Sequence, residues 1–124
     1  MDTRNLEDIY PLSPMQQGML FHSLYAPETG VYFEQTTWRL QGHLDVPAFE
    51  RAWQRVMDRH TALRTAFVWE ELDEPLQVVY KQLDLPITKR DWREHSEEAC
   101  QERFDAFLRQ DRERGFVLSE APLM

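Results

Sequence analysis

Two short stretches place polar and titratable side chains where they could meet a substrate. Residues 13–22, S-P-M-Q-Q-G-M-L-F-H, offer Gln16, Gln17 and His22. Residues 59–67, R-H-T-A-L-R-T-A-F, offer Arg59, His60 and Arg64. The rest of the chain is poor in recognisable chemistry. His22, His43, His60 and His95 form no H-E-x-x-H and no other metal-ligand spacing. The four glycines are scattered, so no phosphate loop can form, and no Gly-x-Ser-x-Gly elbow occurs. A single cysteine, Cys100, excludes an internal disulfide and a Cys/His zinc set. Cys100 falls on an apolar helical stripe and reads as a small buried hydrophobe.

The elements that must position these residues follow from local pattern. Residues 1–12 read as an extended lead-in, since the residue before Pro11 avoids helical geometry. Ser13 is an N-cap, Pro14 stands at N1, and Gln16 at N3 completes a capping box, so a helix starts here. Its Met, Leu, Phe and Tyr residues fall on several sides, which predicts burial on most sides. Ser13 and Gln16 are thereby structural, and His22 is a core or helix-end histidine. After a loop over 26–30, residues 31–40 are rich in β-branched and aromatic types and read as a long strand.

Asp45 caps a second helix in which Phe49, Ala52, Trp53, Val56 and Met57 form the core-facing stripe. Glu50, Arg51, Gln54, Arg55 and Asp58 take the opposite face. Residues 65–70 and 76–82 read as a hairpin turning at 72–75, and 85–87 as a further short strand. A third helix spans 96–114, with Glu97 and Glu98 at its positive start and Gly115 as C-cap. The apolar tail, 116–124, is expected to precede a strand that is missing here.

In this frame Arg59 and His60 sit at the end of the second helix, where cations complement the dipole and solvent is at hand. Arg64 differs. It enters a core strand beside Leu63 and near Phe67, where an unpaired charge costs several kcal/mol. A specific buried carboxylate partner is expected for it, and none lies within a few residues.

The totals agree with one modest domain. The chain has 124 residues, 42% of them apolar and 12% aromatic, so it should fold. A net charge of -8 argues against nucleic acid. Glu70, Glu71, Asp73, Glu74, Glu97 and Glu98 read as solvated faces. No apolar run approaches the roughly 20 residues that span a bilayer, and no signal peptide precedes the first helix. A cytoplasmic setting fits.

The two polar stretches also carry a resemblance. R-H-T-A-L-R-T-A-F resembles the second core motif of nonribosomal peptide synthetase condensation domains, R-H-E-x-L-R-T-x-F, with Thr61 in place of the usual acidic residue. L-S-P-M-Q-Q-G-M-L-F-H, 12–22, resembles the first core motif. I-Y-P-L before it, Y-F-E-Q at 32–35 and F-V-L-S-E-A-P-L at 116–123 follow the family in order and spacing. The family's third motif, H-H-x-x-x-D-G, does not occur in these residues.

The resemblance implies an α+β fold, a two-layer α/β sandwich. This would be part of the N-terminal lobe of a chloramphenicol acetyltransferase-like fold, with about three helices and a mixed sheet. It implies that 1–124 is a single partial domain lacking the C-terminal lobe and the catalytic motif, inactive alone. It implies amide-bond formation between thioesters delivered on the 4'-phosphopantetheine arms of peptidyl carrier proteins, with neighbouring synthetase domains as further partners. No catalytic residue or metal ligand is assigned. Arg64, His60, Arg59 and Gln16 would support the site, Arg64 by pairing with the third motif's aspartate. An epimerization or cyclization relative, or a non-catalytic module binding carrier or synthetase domains, stands as the alternative. A partial lobe would also bare apolar surface and could self-associate.

Overall fold

A computed structural model describes residues 3–124; the first two residues of the expected lead-in lie outside the described residues. Residues Leu76–Tyr80 hold three consecutive buried side chains, Gln77, Val78 and Val79. Burial on both faces suits a central strand, and the strand is central. β1 (Leu6–Pro11) and β2 (Thr65–Val68) flank β3 (Leu76–Tyr80), both antiparallel to it. The hairpin registers Thr65 on Val79 and Val68 on Leu76. β1 registers Pro11 on Leu76 and Leu6 on Tyr80, with a shift between Leu6 and Asp8. The sheet is therefore antiparallel, not mixed: β2 and β3 pair as a hairpin, and β1 also runs against β3.

The helices start where their caps predict. In α1 (Pro14–Tyr25) the capping box closes: Ser13 Oγ accepts from the Gln16 backbone N–H, and Gln16 Oε1 from that of Ser13. Asp45 Oδ1 accepts from Ala48 N–H at the start of α2 (Val46–Arg59). Ser96 does the same for Ala99 in α3 (Glu97–Arg114), which ends at Gly115 with φ 58, a left-handed value that favours glycine. The chain is an α+β assembly of three α-helices and one sheet among the described residues.

Several expectations fail, and for the helices the reason is a lack of neighbours. α1 is not buried on most sides: Leu20 is, but Met15, Phe21 and Tyr25 are 77%, 62% and 79% exposed. His22 is exposed too, its ring set edge-on to Phe21. In the α2 stripe Met57 is fully buried, yet Phe49 and Val56 are more than a third exposed. Residues 31–40 form no strand. Strand propensity records fit to a pleated surface, and these residues meet α3 instead. Gln35 Nε2 donates to Leu108 O and Asp111 Oδ2 on that helix, and Phe33 packs on Phe116 just past its end. Residues 85–87 are not a strand either. The tail makes one sheet-like bond, Phe67 N–H to Leu118 O, at the outer edge of β2. The acidic groups at 70, 71, 73, 74, 97 and 98 are exposed, as expected.

Candidate functional site

The 3-10 turn Thr61–Arg64 carries the chain from α2 into β2 and drops Arg64 into the interior, where it is 4% exposed. Its guanidinium faces the ends of two elements. Nε donates to Met57 O at 3.1 Å and Nη2 to Asp58 O at 3.2 Å, both in the last turn of α2. Nη1 donates to Tyr80 O, to Lys81 O at 3.2 Å, and to Glu7 Oε2 at 2.6 Å. Carbonyls in the last turn of a helix have no intrahelical donor. Arg64 supplies it, and the charge complements the dipole. The planar fork lets one side chain reach several acceptors at once.

The carboxylate comes from β1. The register shift between Leu6 and Asp8 falls on Glu7, and a bulge of this kind re-aims a side chain. Glu7 remains 44% exposed at its side chain. Within these residues the carboxylate on Arg64 is a half-solvated one from the first strand; the aspartate of the third motif is not among them. The carbonyls account for most of the donors.

At the other end of β3, Gln16 joins its capping role to a second one. Its Nε2 donates to Gln77 Oε1 at 3.2 Å, while Gln77 Nε2 donates to Gln16 Oε1 and Pro11 O, both at 3.1 Å. Gln77 is buried, so each amide satisfies the other. We expect a double-mutant cycle, Gln16→Ala with Gln77→Ala in urea denaturation, to give a coupling of about 1 kcal/mol. Strict additivity would show that each amide is served separately.

A family model described as the condensation domain matches residues 6–124. This chain belongs to the condensation-domain family. It is 52% identical to a linear gramicidin synthase from Brevibacillus parabrevis over 120 residues, 97% of this chain and 2% of that protein. It is 43% identical to a plipastatin synthase from Bacillus subtilis, covering 96% of this chain and 5% of that protein. Tyrocidine synthase 2 of Brevibacillus parabrevis is 41% identical over 96% of this chain and 3% of its own length. The chain therefore spans a few hundredths of the length of these relatives.

Among the residues singled out in this condensation-domain chain, Arg64 and Gln16 sit at opposite ends of β3 and share no partner. Arg59 and His60 are exposed at the end of α2. His60 acts through its backbone, N–H to Val56 O and C=O from Leu63 N–H. Cys100 is half-buried, its thiol 3.4 Å from Trp92 O, less buried than its apolar stripe suggested. Among the described residues no group of His, Cys, Asp and Glu could hold a metal, and no helix is long and apolar enough to cross a membrane.

The Arg93 side-chain hydrogen bonds, aided by its backbone N–H, draw the Asp91 carboxyl from the ordinary range to about 2. Both residues are exposed before α3, remote in sequence from Arg64 and Gln16. Sequence patterns do not point to Glu7 and Gln77 as partners. A polar residue inside L-Q-V-V-Y is the one signal for Gln77; Glu7 has none, because a bulge leaves no mark in an acidic segment.

Proposed function

We propose that the chain is the opening portion of the N-terminal lobe of a nonribosomal peptide synthetase condensation domain, residues 1–124 forming a partial domain. In that reaction the amine of a downstream aminoacyl thioester attacks the carbonyl of an upstream acyl or peptidyl thioester. A C–N bond forms, the C–S bond breaks, the thiol leaves, and the nitrogen loses a proton. The thioesters ride on the phosphopantetheine arms of carrier proteins, which with neighbouring synthetase domains are the proposed partners. No nucleic acid and no membrane is involved, and the setting is cytoplasmic.

The family match along residues 6–124 carries the reading. In it this chain's residues support the site and do not touch the reacting atoms. Arg64 fixes the ends of α2 and β3, Gln16 fixes α1 to β3, and Arg59 and His60 end α2 near Arg64. The bare apolar side chains of α1 and α2 fit a lobe whose other elements cover them, or, in the isolated chain, self-association.

Two arms test it. Residues 6–124, placed over the matching segment of the linear gramicidin synthase from Brevibacillus parabrevis, should leave amide formation between two loaded carrier proteins intact. The 124-residue chain alone should give no amide above the enzyme-free control, for want of a general base. Loss of product in the first arm, or turnover in the second, overturns the proposal.

A further inference from the structure

Residues 81–96 link β3 to α3 without helix or strand. Within them half-buried Leu83 and Leu85 alternate with exposed Asp84 and Pro86. That is the period of a strand, but no strand lies alongside to pair with it. A side chain of α2 takes that place. Gln54 Nε2 donates to Leu83 O at 2.8 Å, and Gln54 Oε1 accepts from Leu85 N–H at 2.8 Å. A primary amide offers the same donor and acceptor as a peptide unit, so Gln54 pairs with the segment as a neighbouring strand would. Gln54 Nε2 also donates to Asp58 Oδ1 at 2.9 Å, one turn on, which fixes its rotamer.

The sequence pattern puts Gln54 and Glu50 on the solvent face of α2; both are half-buried beneath this segment. One turn before Gln54, Glu50 Oε1 stands 2.8 Å from Lys89 Nζ. The contact is an ion pair without hydrogen-bond geometry, and Lys89 is 67% exposed, so it holds the segment weakly. The half-buried Leu83 and Leu85 are the apolar anchors, and Ile87 is 39% exposed. Gln54 reaches the side chain of Asp58, whose main-chain carbonyl accepts from Arg64, while the Gln16–Gln77 pair shares none of these bonds.

We propose that residues 83–89 form a strap, fastened to α2 by the Gln54 amide, that opens as a unit of its own while the sheet stays closed. Few buried apolar contacts and solvent-accessible bonds define a unit of low local stability. The strap is the covalent route from β3 to α3, so its opening frees that connection from α2 without melting either helix. The inference does not depend on the synthetase reading.

Amide hydrogen exchange of the 124-residue chain tests it. Gln54→Ala should speed exchange over 83–89 about tenfold while β2 and β3 exchange as before, since two hydrogen bonds are lost. Gln54→Met keeps the length and removes the amide, and should give the same rise. Lys89→Gln should change exchange by less than about twofold. Unchanged exchange over 83–89 in Gln54→Ala, wild-type behaviour in Gln54→Met, or a rise shared equally by β2 and β3 overturns the proposal. A variant that fails to fold gives that last result.

Discussion

Replacing Arg64 with alanine is expected to lower unfolding stability by about 3–5 kcal/mol in urea denaturation. The loss comes less from the ion pair than from the carbonyls. Glu7 is 44% exposed and would regain water once its partner is gone. Met57 O and Asp58 O at the end of α2, Tyr80 O at the end of β3 and Lys81 O just past it would lose the donors of one buried guanidinium. Buried acceptors left without donors cost about 1–3 kcal/mol each, less where water can follow.

Two companion variants separate the causes. Glu7→Gln keeps an oxygen for Nη1 and removes the charge, and should cost less than about 1 kcal/mol. Arg64→Lys keeps the charge but cannot span both element ends, and should behave more like alanine. A Glu7→Gln loss equal to that of Arg64→Ala would make the ion pair the larger contribution and refute the carbonyl account. An unchanged urea midpoint in Arg64→Ala would refute both.

Met57→Ala is expected to cost about 2–5 kcal/mol by the same measurement, through lost transfer energy and a residual cavity. Met57 is the one residue of the α2 stripe that is fully buried, at 0% exposure. Its neighbour Val56, 39% exposed, gives the control. Val56→Ala should stay within about 0.5 kcal/mol in this chain. Equal losses at the two positions would mean that the whole stripe is packed in solution, as the sequence periodicity implies, by self-association or otherwise.

That contrast marks what the sequence could disclose. Caps and turns are local, and Ser13, Gln16, Asp45, Ser96 and Gly115 all stand where a few neighbouring residues placed them. The β2–β3 hairpin is legible for the same reason. Periodicity shows which side chains want burial, not whether anything covers them, so the stripes of α1 and α2 promised more core than they deliver. The 31–40 segment has the composition of a strand, but pairing needs an edge, and Phe33 and Gln35 lead it to α3. Arg64 was legible as a charge needing a partner. The partner's identity was not, because it depends on a bulge in β1 and on the pairing of β1 with β3.

The strand order β1-β3-β2 also sets a sequence in time. Val68 and Leu76 meet by closing about eight residues, whereas Pro11 and Leu76 close roughly 65, a difference of about 2 kcal/mol in loop entropy. On chain entropy alone, the hairpin and the α2 end assemble first, and they bring with them four of the five acceptors around Arg64. β1 arrives afterwards, and the Glu7 carboxylate closes over a guanidinium already held in place. On loop entropy β1 is thus the last of the three strands to join the sheet.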